Sequence, residues 1–148
     1  MLHQVGKFDY SIKKQKVSSS KIYVSDTSFL KTVSFNFSEN TGKRLENLVF
    51  LQLKRRYDEI YYHLDKNECD FVIKENLNIT QAIQVSQKLD NPVTKQREIA
   101  GLLDAMKKYN LMEGYILTLE DDEILEIDKK RIIIKSIWKW LLDFDNAI

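Results

Sequence analysis

Three polar side chains stand where their neighbours are apolar, and their types and spacing could do chemistry. Glu46 precedes Val49 and Phe50 by three and four positions and Leu53 by seven, so on a helix it shares a stripe with apolar residues. A carboxylate facing a core needs a cationic partner, a metal or a neighbouring function, because an unpaired buried charge is very costly. The plainer alternative is a rim glutamate that reaches solvent or pairs with an arginine. Asp70 lies in the run Cys69-Asp70-Phe71-Val72-Ile73, although aspartate is a poor strand former. Either it ends the turn Asp65-Lys66-Asn67-Glu68, or the strand keeps it for its carboxylate. If the runs around Asp70 and Gln84 form a hairpin, the two residues share a side only when paired numbers sum to 154, which requires a loop of three or five residues.

The elements that must position these groups are legible mainly from periodicity, since only four Gly and one Pro punctuate the chain. Leu45, Leu48, Val49 and Leu53, with Phe50 beside them, predict a helix from Thr41 to about Arg56, ending on the basic Lys54-Arg55-Arg56 that a helix C-terminus favours. Three β-like runs follow, Glu59–His63, Asp70–Lys74 and Ile79–Val85, separated by polar turns and so expected as antiparallel hairpins. Upstream, Ser11 to Ser20 reads as a surface connection, Lys21–Val24 as a short strand, and Asp26 as the cap of a turn through Phe29 and Leu30. Asn91-Pro92 opens a second helix running to about Asn110, with Ile99, Leu102, Leu103, Met106 and Tyr109 as its buried stripe. Gly114–Leu119 lacks polar alternation and suits a strand covered on both faces. Short strands near Ile124–Ile127 and Arg131–Ile134 and a helix from Ser136 through Leu142 complete the order. The expectation is an α/β domain with a mixed sheet and helices on both faces, residues 1–20 forming an N-terminal connection and residues 21–148 the domain.

Composition bounds the function classes. The length of 148 residues fits one domain, and 43% hydrophobic with 30% charged residues fits a soluble globular chain. No apolar stretch approaches the ~20 residues of a membrane span, and the opening Met1 to Lys7 is too polar for a secretory signal, so a cytoplasmic protein without a membrane partner is expected. A single cysteine, Cys69, excludes an internal disulfide and a CxxC zinc site, and reads as a small buried hydrophobe with no histidine nearby. The net charge of +1 hides a gradient, because residues 1–56 carry eleven Lys/Arg against four Asp/Glu. Lys13, Lys14, Lys16, Lys21, Lys43, Lys54, Arg55 and Arg56 there form either a solvated face or a nucleic-acid patch. His3 and His63 read as surface histidines, Tyr61 and Tyr62 as packing residues, and Trp138 as core or interface. Gly6-Lys7 and Gly42-Lys43 lack the upstream glycine of a phosphate-binding loop, so no ATP site is expected in this chain.

In order, a helix Glu, a strand Asp and a next-strand Gln resemble the PD-(D/E)XK nuclease-like fold. There a helix Glu, a strand Asp and an E-x-K motif hold a divalent metal. More closely, Lys21-Ile22-Tyr23-Val24-Ser25-Asp26-Thr27 and Gly42 to Leu53 resemble the C-terminal domain of unknown function of prokaryotic, archaeal-type AAA ATP-binding proteins. So do Glu68-Cys69-Asp70-Phe71-Val72-Ile73, Ile83-Gln84-Val85, Arg97-Glu98-Ile99 and Ile137 to Leu142, and the likeness runs from about residue 8 to 142. It implies Mg²⁺ or Mn²⁺ held by Glu46, Asp70, Gln84 and the backbone carbonyl of Val85, which suits hard oxygen ligands. It also implies an AAA-type ATPase domain upstream or in trans, and DNA or RNA as a further partner. Gln84 departs from the motif's acid, and Ser86 stands where the catalytic lysine belongs and cannot supply its charge. Lys88, or else Arg97, would have to move into that role beside Glu46, Asp70 and Gln84. The implied function is a degenerate nuclease-like domain, inactive or weak, with a non-catalytic interaction or regulatory module of the ATPase as the alternative.

Overall fold

The computed structural model describes residues 1–25 and 39–146. The turn expected after Asp26 lies outside them. Strands β1 (Leu2–Gly6) and β2 (Ser20–Val24) pair as an antiparallel ribbon, with a short helix α1 (Ile12–Val17) between them. The stretch expected as a connection therefore holds a strand and a helix, and it places Val5 and Phe8 in the core. Helix α2 (Glu39–Lys54) leads into β3 (Glu59–Leu64), β4 (Glu68–Glu75) and β5 (Asn78–Val85). After α3 (Pro92–Lys108) come β6 (Glu113–Thr118), β7 (Glu123–Ile127), β8 (Lys130–Ser136) and α4 (Ile137–Asn146).

The second sheet has six strands in the order β3-β4-β5-β6-β8-β7, in which β5, β6 and β8 are parallel and the remaining pairs antiparallel. This is the mixed sheet expected. Its central strands are apolar on both sides because helices cover both faces. Phe71, Ile73, Ile83 and Leu117 pack with Val49, Phe50 and Leu53 of α2 and Ile137 and Trp140 of α4. The alternate residues Val72, Ala82 and Ile116 pack with Leu102, Ala105 and Met106 of α3. That period of two along β4 and β6 sets which helix each residue meets.

Asn91 caps α3, its side chain accepting from the Val93 N–H at 2.9 Å, with Pro92 in the first turn as expected. Leu48, expected inside, is instead 39% exposed, and Trp138, read as core or interface, is 55% exposed and so no part of the core. The reason is helical phase. Helix α4 faces the core through Ile137, Trp140, Leu141 and Phe144, spaced i, i+3, i+4, i+7, which turns Trp138 outward.

The β4–β5 register settles how Asp70 meets Gln84. A loop of two residues, Asn76 and Leu77, joins the strands, with Asn76 at φ 57, a conformation asparagine tolerates. Glu75 pairs Asn78 and Lys74 pairs Ile79, but a bulge at Thr80 shifts the register so that Ile73 pairs Gln81 and Phe71 pairs Ile83. A tight loop plus one extra residue thus does what a three- or five-residue loop was expected to do.

His63 is the largest correction among the expected surface residues, being 2% exposed. Its Nε2 lies 2.9 Å from Asp104 Oδ2 and its Nδ1 lies 2.8 Å from the Tyr109 hydroxyl, so it ties β3 to α3. Cys69, buried as expected, pairs across the strands with this same histidine. Partial burial alone would raise the Asp104 carboxyl, but the His63 ring and the Asn67 N–H outweigh it and hold Asp104 below its ordinary value. His63→Leu leaves the Tyr109 and Asp104 groups without their ring partner, and is expected to cost about 2 kcal/mol in urea unfolding. An unchanged midpoint would show that the ring contributes packing alone.

Candidate functional site

The site forms where β4 and β5 stop pairing. Ladder pairing between them ends at Phe71 and Ile83, while on its other edge β5 stays paired in parallel with β6 through Gln84 and Val85. Two side chains satisfy the backbone left open there. The Asp70 N–H donates to Gln84 Oε1 at 2.9 Å, and the Val85 N–H donates to Asp70 Oδ2 at 2.9 Å. The amide of Gln84 in turn donates to Glu98 Oε2 on α3, whose Oε1 accepts from Arg97 at 2.9 Å. Gly101 permits this by letting α3 lie against β4, since a Cβ there would sit 2.1 Å from the Glu68 carbonyl oxygen.

From the other side, the β1–β2 ribbon carries Lys21 and Tyr23 on one face of β2 while Ile22 points outward. Asn47 of α2 fixes the end of that strand, accepting from the Val24 N–H and donating to its carbonyl, each at 2.9 Å. Tyr23 stacks on Phe50 with ring centroids 4.5 Å apart and donates its hydroxyl to Glu46 Oε1. The Lys21 ammonium then lies among three carboxylates, 2.5 Å from Glu68, 3.2 Å from Asp70 and 3.5 Å from Glu46.

The electrostatics follow from that crowding. Burial pushes the Asp70 carboxyl up to about 7, the Glu46 charge adds to the rise, and Lys21 with the Val85 N–H opposes it. Burial would lower Lys21, but the Asp70, Glu46 and Glu68 charges outweigh it and hold the ammonium above its ordinary range. Burial first, and then Glu46, raise the Tyr23 phenol, so it stays a donor.

The group opens into a cleft of about 910 Å³. Glu46, Asp70, Gln84, Val85, Ser86, Lys88, Arg97 and Glu98 all line it, so every residue expected at the site reaches the same cavity. They do not all take the expected roles. The Gln84 oxygen is occupied by the Asp70 N–H, and Ser86 Oγ turns to the Lys88 carbonyl at 3.2 Å. Lys88 and Arg97 stay at the rim, and the lysine that reaches Asp70 is Lys21. Lys43, Lys66 and Lys88 line the cleft and, among the described residues, make no ion pair.

The oxygens of Glu46, Glu68 and Asp70 are hard donors of the kind Mg²⁺ or Mn²⁺ takes, and they converge on one point. That point is held by the Lys21 ammonium. Among the described residues no group of three His, Cys, Asp or Glu is arranged to hold a metal, so the side chains as placed do not fit the ion that the nuclease likeness implies.

Lys54 and Arg55 of the basic segment Lys54-Arg55-Arg56 are exposed, as a solvated face would be, and its two arginines also meet α4. Arg56 stacks on Phe144 at 4.0 Å and donates to its carbonyl, while Arg55 lies 3.8 Å from Asp145, so these cations hold α4 against α2. Sequence reasoning missed Lys21, Tyr23 and Asn47 as members of the site. No local signal marked Lys21 and Tyr23, because the strand exposes Ile22 between a paired lysine and a buried tyrosine, the reverse of what its residue types suggest.

An uncharacterized protein of Methanocaldococcus jannaschii, MJ1544, is 37% identical over 148 aligned positions, which take in 92% of this chain. The chain spans about a third of that relative, 32% of its length. No family model matches the chain, and no solved structure matches it. Among the described residues no helix is long and apolar enough to cross a membrane.

Proposed function

We propose that this chain is a degenerate PD-(D/E)XK nuclease-like domain of an AAA-type ATPase, one that holds nucleic-acid backbone in its cleft without cutting it. The observation that supports the reading best is the meeting of Glu46 from α2, Asp70 from β4 and Gln84 from β5 at one cleft, in the helix-strand-strand order of the nuclease-like pattern. Lys43, Lys66 and Lys88, which among the described residues make no ion pair, line that cleft and suit phosphate contacts. Cleavage has less to work with. The carboxylates are already paired to Lys21, and Ser86 brings no positive charge to a transition state. In this reading the ATPase domain stands upstream or in trans, and the archaeal relative, about three times as long as the shared stretch, leaves room for one.

One observation favours the alternative of a protein-interaction module. Trp138 and Leu142, four apart on α4, are 55% and 57% exposed and share a face. Capture of an AAA-type ATPase domain that Trp138→Ser abolishes, with no nucleic-acid binding, would put that alternative first.

Incubating DNA and RNA with Mg²⁺ or Mn²⁺ and either wild type or Asp70→Ala tests the absence of cutting. Equal, background-level signals from both are expected, whereas turnover lost only in the variant would make the domain an active nuclease.

A further inference from the structure

We propose that a second, smaller cavity beside the β3–β4 turn takes one unpaired nucleobase of the nucleic acid whose backbone the cleft holds. The inference rests on the nucleic-acid reading of the cleft and names the form of substrate: a duplex that carries unpaired nucleotides. The cavity measures about 140 Å³. That is below the ~300 Å³ at which sites for whole small molecules begin, and it suits one ring system. Leu64, the last residue of β3, lines both this cavity and the cleft, so a strand lying in one can reach the other. The turn between them is pinned, since Asp104 accepts from the Asn67 N–H at 3.1 Å.

The lining combines the two things that recognition of single strands uses, aromatic rings and cations. Phe8, Tyr10 and Tyr109 all line the cavity, and Phe8 meets the two tyrosines in T-shaped contacts with ring centroids 5.1 and 5.5 Å apart. Phe8 is buried and anchors the group, while His63 holds the Tyr109 hydroxyl at 2.8 Å. Tyr10 is 70% exposed, which leaves most of its ring for another aromatic surface. One exposed tyrosine alone is ordinary. Here two cations accompany it, because Lys7 and Lys108 line the same cavity and, among the described residues, make no ion pair. They suit the phosphates on either side of a base that has left its stack. The Asp9 and Asp65 carboxylates, also in the lining, are acceptors of the kind that amino groups on base edges need.

The test compares, at one low salt concentration and without divalent metal, a blunt DNA duplex with the same duplex extended by a short unpaired 3′ or 5′ end that carries 2-aminopurine. Wild type is expected to bind one of the extended duplexes about tenfold more tightly than the blunt one, the gain of a single stacked base, and to quench the 2-aminopurine. In Tyr10→Ala, a change at an exposed position, that ratio should fall to about one and the quenching should disappear. Equal wild-type affinity for blunt and extended duplexes would overturn the proposal, as would a preference of the same size in Tyr10→Ala. Both results leave the contacts of Lys43, Lys66 and Lys88 standing, whereas a wild type that binds no duplex overturns the base cavity together with the nucleic-acid reading.

Discussion

Gly101→Ala is expected to lower the unfolding free energy by about 4 kcal/mol, the largest effect among the chain's four glycines. An added Cβ would lie 2.1 Å from the Glu68 carbonyl oxygen and 3.2 Å from its carbon. Those are backbone atoms of a strand hydrogen-bonded to a neighbour, so neither can rotate aside, and α3 itself must withdraw. Withdrawal exposes part of the Leu102, Ala105 and Met106 contact and pulls Glu98 from Gln84. Gly114→Ala supplies the contrast. Its Cβ would meet Leu102 Cδ1 and Met106 Sδ at 2.9 Å, the far ends of flexible side chains, and should cost about 1 kcal/mol. Urea unfolding of both variants checks the pair, and equal midpoints would mean that α3 does not lie as close to β4 as these distances say.

Lys21→Met is expected to cost about 3 kcal/mol near pH 8, because it strips the cation from Asp70, whose carboxylate has little solvent to turn to. The cost depends on pH with a definite sign. Asp70 has its folded value raised from 3.8 to about 7, so the native state binds a proton that the unfolded state lacks throughout that window. Its contribution to stability therefore falls as pH rises through the window. Without Lys21 the Asp70 carboxyl rises further and the window widens upward, so the variant's deficit should be larger near pH 8 than near pH 5. Lys21→Met/Asp70→Asn should be more stable near pH 8 than Lys21→Met alone, since it removes one of the orphaned charges. Guanidinium unfolding of the wild type and both variants at the two pH values decides it. A deficit independent of pH would mean that the ammonium is not paired with Asp70.

The parts of this site that were legible in the sequence are those where local pattern and tertiary role agree. Asp70 and Gln84 are polar residues in apolar runs, and Asn91-Pro92 announces α3 without reference to anything distant. Lys21 follows the opposite logic. On a short strand that alternates lysine, isoleucine and tyrosine, the usual expectation puts the isoleucine inside, yet α2 receives Lys21 and Tyr23 because Glu46 and Phe50 offer a carboxylate and a ring. Its partner strand β1 is equally opaque, since Leu2-His3-Gln4-Val5-Gly6 buries Val5 alone. His63 was unreadable for a related reason, as the Asp104 and Tyr109 that satisfy it lie three elements further on. The mixed sheet could be foreseen from apolar runs and turns, whereas the bulge at Thr80 that aligns Asp70 with Gln84 had no local signature.

The nucleic-acid reading is tested most directly by fluorescence anisotropy of labelled DNA and RNA, without divalent metal, against wild type and the triple variant Lys43→Ala/Lys66→Ala/Lys88→Ala. Wild type should bind with affinity that falls as salt rises, and the variant should bind more weakly with a log–log salt slope shallower by about 2 to 3 units on duplex DNA. Absence of binding by wild type at low salt, or equal slopes for the two proteins, would contradict a backbone-holding cleft.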